Sequence, residues 1–169
     1  MLTLKAVIFA GILPLGYTAT VDVHALNLEP VRTERVGNGT LSWFAAPPSN
    51  GGVAYDLVSR DPGCGTNNIK CATSNAYHGP TCQNVINVLD SSNVADGYRA
   101  VCLDQGNGQC CISWSKNTSR RIRQNELVPS ARRSLNTCGD SNKSGQEWNV
   151  NLGGTCLSQC LSNRPTGCK

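Results

Sequence analysis

Ten cysteines carry the most distinctive chemistry of this chain, because cysteine can form disulfides, bind metal or act as a nucleophile. All of them follow residue 63, at Cys64, Cys71, Cys82, Cys102, Cys110, Cys111, Cys138, Cys156, Cys160 and Cys168. Zinc sites commonly contain C-x-x-C pairs, and this chain has none. The even number therefore predicts five disulfides and no metal site, although spacing alone leaves their pairing open.

Two local constraints apply to that pairing. Cys110 and Cys111 are neighbours in a segment with the pattern of a strand, so they point to opposite faces and need different partners. Cys156 and Cys160 are four residues apart and share one face if their segment is helical.

Catalytic side chains are scarce in this sequence. His78 is the only histidine after residue 25, in a loop before a helix, and we expect it to be a surface residue or a local hydrogen-bond donor. No G-x-S-x-G motif is present, so we predict no catalytic residue and no cofactor. The alternative is a small extracellular hydrolase that cleaves polysaccharide with two carboxylates, for which Asp56 and Asp61 are the best pair.

Basic residues cluster in residues 116–133, where six positive side chains accompany the single acid Glu126. This cluster exceeds the net charge of the whole chain, which is +4. Its members are Lys116, Arg120, Arg121, Arg123, Arg132 and Arg133. Clustered arginines favour anionic partners, here an anionic polysaccharide, a membrane surface or a host protein. No aromatic residue interleaves them, so nucleic acid is not expected.

Three tryptophans offer faces on which a sugar could stack. We expect Trp114 to lie in the core of a hairpin, and Trp43 to be the most exposed of the three. Trp148 is the third.

The N-terminus has the three parts of a signal peptide: Lys5, an apolar run over residues 6–16, and small residues before a cut after Ala25. A cut after Ala19 is the alternative. The apolar run is shorter than the roughly 20 residues of a membrane span, so we expect a secreted protein without a transmembrane anchor. Three N-x-S/T sequons, at Asn38, Asn117 and Asn142, are candidate glycosylation sites.

The elements that must position these residues follow from periodicity and turn signals. Two helices are predicted at residues 81–91 and 129–138, and a third, short helix at 155–161. A hairpin is predicted at 98–103 and 109–114, around the turn sequence Gly106-Asn107-Gly108. Further strands are predicted at 41–44, 53–58 and 147–152.

These elements predict an α+β fold, with a small antiparallel sheet and two or three short helices stapled by disulfides. We assign residues 1–25 to the signal peptide and 26–52 to a loosely structured arm with a short strand. Residues 53–169 form the disulfide-rich domain.

The cysteine-rich part of the chain resembles the fungal WD-like family of small secreted proteins, a label that does not imply a WD40 propeller. The matching segments are 98–102, the double cysteine with Trp114 at 110–114, and the C-terminal run 149–153, 156–164 and 167–168. The resemblance implies fungal origin and export, and implies no catalytic residues. A looser similarity, in the use of disulfides around a small α+β core, is to secreted effectors and killer-type toxins.

We therefore expect a secreted, non-enzymatic, cysteine-rich glycoprotein that acts outside the cell or at the cell wall. An effector or toxin-like role is one form of this function. The polysaccharide hydrolase is the alternative.

Overall fold

Seven strands form one antiparallel sheet in the part of the chain that this computed structural model describes. The described residues are 28–45, 63–91, 93–95, 97–106, 108–118, 120–139, 143–166 and 168. The predicted signal peptide, the predicted strand at 53–58 and the residues Asp56, Asp61 and Asn142 lie outside them.

The strands are β1 (Arg32–Val36), β2 (Gly39–Ala45), β3 (Asn68–Ala72), β4 (Tyr98–Gln105), β5 (Gly108–Trp114), β6 (Ser144–Leu152) and β7 (Thr155–Ser162). The helices are α1 (Gly79–Val88) and α2 (Val128–Cys138), the latter preceded by a 3₁₀ turn at Gln124–Leu127. The strand order across the sheet is β1-β2-β4-β5-β7-β6-β3. The early strand β3 is thus an edge strand beside the late strand β6.

The predicted helix at 155–161 is wrong, because this segment is strand β7. Gly153 and Gly154 both have positive φ angles, 58° and 79°, and they turn the chain directly from β6 into β7. Leu157, Gln159 and Leu161 then alternate into the core, and β7 pairs with β5 on one side and β6 on the other. Two neighbouring strands satisfy its backbone, so tertiary pairing outweighs the local apolar spacing.

Both helices pack on one face of the sheet, α1 against β4 and β5, and α2 against β3, β6 and β7. The main core lies between these layers and contains Trp114 and Leu161. Two disulfides tie the helices to the sheet: Cys82–Cys110 joins α1 to β5, and Cys71–Cys138 joins α2 to β3. The expected stapling of the first helix is therefore confirmed.

The opposite side of the sheet, which we call the helix-free face, carries a smaller apolar cluster. Phe44, Ala100, Cys102 and Cys111 are buried there, with Leu28 packed against them. Cys102 and Cys111 are direct partners across β4 and β5 and form a disulfide. Cys110 and Cys111 thus have different partners, as their adjacency predicts.

The remaining disulfides fix the two ends of the disulfide-rich region. Cys64–Cys156 joins the chain before β3 to the start of β7. Cys160–Cys168 closes a short loop that returns the C-terminal segment to β7. All ten cysteines are paired.

The observed architecture is mostly sheet, so the expected antiparallel sheet with short helices describes it only coarsely. Two helices and five disulfides accompany a sheet larger than expected. The region 26–52 contributes both β1 and β2 to this sheet in its described part. Within the described residues, no helix combines the length and apolar character needed to cross a bilayer.

Trp43 is fully buried, so the expectation that it is the most exposed tryptophan is wrong. It lies in β2 on the face covered by the helices, with its ring centroid 4.9 Å from that of Tyr98. Trp114 is buried, as expected.

Candidate functional site

A groove of about 350 Å³ crosses β3, β6 and β7 on the helix-free face. Its charged lining residues are Lys70 and Arg164, and its aromatic residue is Trp148. The other lining residues are small or neutral: Ala72, Ser74, Asn75, Ser144, Gly145, Gln146, Cys160 and Ser162. The groove is therefore polar and positively charged, and no described carboxylate lines it.

A β-bulge in β6 places Trp148 in this groove. Glu147 pairs with Gln159 and Val150 pairs with Leu157, so two residues separate these buried positions where a regular strand has one. The second of the two, Asn149, has a φ of 61°, and its side-chain amide donates to the Thr66 carbonyl at 2.9 Å. A bulge changes the direction of the side chains next to it. The Trp148 indole is accordingly half-buried in the groove and is not part of the core.

Lys70 and Trp148 lie close together because β3 and β6 are paired. Lys70 is opposite Gln146 and Asn68 is opposite Trp148. Lys70 and Trp148 are therefore diagonal neighbours on the same face of the sheet, a relation in which the Cα atoms are about 7 Å apart. An occupant stacked on the indole is within reach of the lysine ammonium.

Hydrogen bonds hold the rims of the groove. The Ser144 hydroxyl lies 2.7 Å from the Ser74 carbonyl oxygen and 3.2 Å from that of Ala72, which fixes the turn after β3. The backbone N–H of Asn163 donates to the backbone carbonyl oxygen of Asn75 at 3.1 Å and connects this turn to the C-terminal segment.

Arg164 lies on that C-terminal segment. The Ser162 hydroxyl donates to the Arg164 carbonyl oxygen at 3.0 Å. The Cys160–Cys168 disulfide encloses the same residues in one loop. Arg164 is thus presented from a constrained loop, which reduces the conformational entropy lost when its side chain binds a ligand.

The two cations of the groove are exposed, and neither makes an ion pair within the described residues. Cations that are free of ion pairs with the described residues, in one groove with an aromatic face and neutral hydrogen-bonding groups, are suited to binding a polar ligand. The groove contains serine hydroxyls, but no described histidine or carboxylate lines it to activate them.

The predicted basic cluster is distributed over three segments: the exit of β5, the loop before the 3₁₀ turn, and α2. Glu126 neutralises part of this cluster. Its carboxylate accepts hydrogen bonds from the Arg120 guanidinium at 2.8 and 3.2 Å and from the Arg123 backbone N–H at 2.8 Å. Burial raises the pKa of Glu126, but the hydrogen bonds from Arg120 and the Arg123 amide outweigh it and leave the pKa below its usual range.

A second member of the cluster, Arg133, is bound to Glu147. The Arg133 Nε and terminal nitrogen both lie 2.8 Å from Glu147 Oε1, to which Asn67 also donates at 2.6 Å. Glu147 is fully buried between β6 and α2. Lys116, Arg121, Arg123 and Arg132 are exposed. The role of the cluster as an anion site stays a prediction.

The remaining candidates lie away from the groove. His78 precedes α1, is exposed, and its Nδ1 lies 2.8 Å from the Thr81 hydroxyl. Asn38 and Asn117 are exposed.

The sequence marks Trp148 as a possible sugar-stacking residue but contains no sign that it shares a groove with Lys70 and Arg164. These three residues are far apart in sequence, and the pairing of β3 with β6 that joins two of them has no local signature. The residues around Trp148 do contain one signal of a bulge, since asparagine is among the few residues that readily adopt positive φ.

Residues 59–168, nearly two thirds of the chain, match the protein-family model described as Fungal WD-like. Neither a curated protein nor a solved structure matches the chain.

Proposed function

We propose that this chain, which belongs to the fungal WD-like family, is an extracellular, non-enzymatic protein that binds cell-wall carbohydrate in the groove around Trp148. The observation that carries this proposal is a half-buried indole in a groove lined by serine, asparagine and glutamine side chains and by two cations that form no ion pair among the described residues. A sugar ring presents C–H groups to the electron-rich face of an indole and hydroxyls to the surrounding polar groups.

Five disulfides support the extracellular location. All ten cysteines are paired, and disulfides persist in oxidising compartments, whereas cytosolic thiols are kept reduced. The signal-peptide pattern of the N-terminus points the same way. A wall-associated protein and an effector that acts on a wall would both use such a groove.

The hydrolase alternative requires two carboxylates about 5–10 Å apart at one site. Among the described carboxylates, Glu34, Glu126 and Glu147 each form an ion pair with an arginine. No observation on the described residues favours this alternative, so the binding function is the one we propose.

The test uses the secreted protein and insoluble preparations of fungal and plant cell walls. Depletion of protein from solution and release of reducing sugar are measured in the same tube. We expect depletion without sugar release, and loss of depletion in Trp148→Ala. Val94→Ala is the control, because Val94 is an exposed apolar residue outside the groove.

Two outcomes would contradict the proposal. Failure of the wild-type protein to bind any wall preparation would remove the binding function. Sugar release above the buffer blank would show that the protein is an enzyme.

A further inference from the structure

We infer that the groove selects acidic polysaccharide, with a sugar carboxylate bound between Lys70 and Arg164. This inference rests on the proposed function and specifies its ligand class. The charge of the groove carries it, since the lining contains two cations and no described carboxylate.

The two cations have complementary chemistry toward a carboxylate. The Arg164 guanidinium is a planar fork that donates two parallel N–H bonds to the two oxygens of one carboxylate. The Lys70 ammonium is a compact charge on a flexible stem and adapts to the position of the sugar. Together they favour a negatively charged sugar over a neutral one of the same shape.

The neighbourhood of Trp148 explains why the anion is a sugar. Lys70 and Trp148 are diagonal neighbours on paired strands, so a ring stacked on the indole has its substituents near the ammonium. Gln146 and Asn75 provide amide groups for the ring hydroxyls. A simple anion would use the cations but leave the indole face without a contact.

Part of the basic cluster predicted from the sequence is less available to an external anion than the cations of the groove are. In that cluster, Glu126 already binds Arg120, and Glu147 already binds Arg133. An external anion has to compete with these carboxylates, whereas Lys70 and Arg164 have no competing carboxylate within the described residues.

The test compares two forms of one polymer, polygalacturonate and its fully methyl-esterified derivative, which have the same backbone with and without charge. Affinities of the intact secreted protein are measured by calorimetry or affinity electrophoresis at low salt. We expect the esterified polymer to bind at least about tenfold more weakly, the order expected for loss of charge-assisted hydrogen bonds. Added salt should weaken binding of the acidic polymer.

The double variant Lys70→Gln/Arg164→Gln should show the same loss toward polygalacturonate. The comparison pair is Lys116→Gln/Arg132→Gln, which removes the same charge from exposed residues of the basic cluster. All four side chains are exposed, so both double variants should fold, and circular dichroism checks this. We expect the comparison pair to retain the wild-type affinity.

The outcomes separate this inference from the proposed function. Equal binding of both polymers, or loss of affinity only in the comparison pair, overturns the acidic selectivity of the groove. Wall depletion that still depends on Trp148 would then leave the carbohydrate-binding function in place. Absence of binding to every polymer and wall preparation refutes both.

Discussion

At the residue scale, Glu147 shows how strongly one buried carboxylate depends on its partners. Its Oε1 accepts from Asn67 and Arg133, while its Oε2 has no hydrogen-bond partner among the described residues. Removal of the guanidinium would leave a buried charge with a single amide donor, which is costly because the interior solvates charge poorly.

We expect Arg133→Ala to lower the free energy of unfolding by about 2 kcal/mol, because it leaves the buried Glu147 carboxylate without its cation, although Arg133 itself is partly exposed. Arg132→Ala is the matched control, since Arg132 is exposed on the same helix and should change stability by less than about 0.5 kcal/mol. Urea unfolding of the oxidised protein measures both. Equal effects of the two variants would show that the Arg133–Glu147 ion pair does not stabilise the fold.

Glu126 makes a pH-dependent contribution to stability. Its pKa is lower in the folded protein than in the unfolded chain, so its contribution is present above the usual carboxyl range and is lost as pH falls through the folded pKa. Glu126→Gln should therefore destabilise the protein at pH 7, and the difference from wild type should shrink between about pH 5 and pH 2. Urea unfolding midpoints at each pH provide the measurement.

Glu29→Gln serves as the control for this titration, because Glu29 is exposed and has no ion-pair partner in the described residues. Its effect should be small at every pH. A Glu126→Gln difference that stays constant down to pH 2 would contradict the assigned role of the carboxylate.

The tryptophans mark the limit of sequence prediction for single residues. Trp114 lies in a strong hairpin pattern, and its burial follows from that pattern. Trp43 is buried, contrary to expectation, because it belongs to the main core, which is built from residues far apart in the sequence. Trp148 depends on a bulge and on pairing with β3, and alternation alone does not reveal either.

At the scale of elements, periodicity predicted both helices and the β4–β5 hairpin within a few residues of their observed bounds. These are segments whose apolar spacing or turn sequence acts locally. The sequence predicts a helix where strand β7 lies, because the spacing of its apolar residues fits both the helical and the strand period. Pairing with its neighbours β5 and β6 selects the strand. Strand β1 is short and largely exposed, so it carries little apolar signal.

The disulfides should differ in what they contribute. A disulfide that closes a longer loop removes more conformational entropy from the unfolded chain. The resulting stabilisation is about 4.6 kcal/mol for Cys64–Cys156, which are 92 residues apart, and about 2.5 kcal/mol for Cys160–Cys168, which are 8 residues apart. Replacing each pair by alanine should therefore cost stability in that order, measured by thermal unfolding without reductant.

Affinity for polygalacturonate should change in the opposite order. The Cys160–Cys168 loop contains Arg164, so its loss should weaken binding more than loss of Cys64–Cys156 in molecules that remain folded. Unchanged affinity after removal of the short loop would show that Arg164 does not need the constraint.

At the scale of the whole molecule, the strand order separates the first sequon from the groove. Asn38 lies in the exposed turn between β1 and β2, and its Oδ1 accepts from Gln105 at 3.2 Å, which leaves its amide nitrogen available for a glycan. Four strand spacings, about 20 Å, separate β2 from β6 across the sheet.

We therefore expect the secreted protein to carry a glycan at Asn38 that does not affect carbohydrate binding. Mass spectrometry of the secreted protein and of Asn38→Gln should show the loss of one glycan, with unchanged affinity for polygalacturonate. A large change in affinity would place the binding surface nearer to the β1–β2 edge than the groove is.

The position of β3 at the edge of the sheet has a consequence for how the protein is made. During synthesis Cys64 and Cys71 emerge long before their partners Cys156 and Cys138, whereas Cys102 and Cys111 can join as soon as their hairpin forms. Cys64 and Cys71 must therefore remain thiols, or be released from incorrect disulfides, until their partners have been made and β6 is available to pair with β3. We expect disulfide isomerisation, rather than the speed of oxidation, to limit the yield of exported protein, so that raising the level of a disulfide isomerase in the producing cell increases the secreted yield.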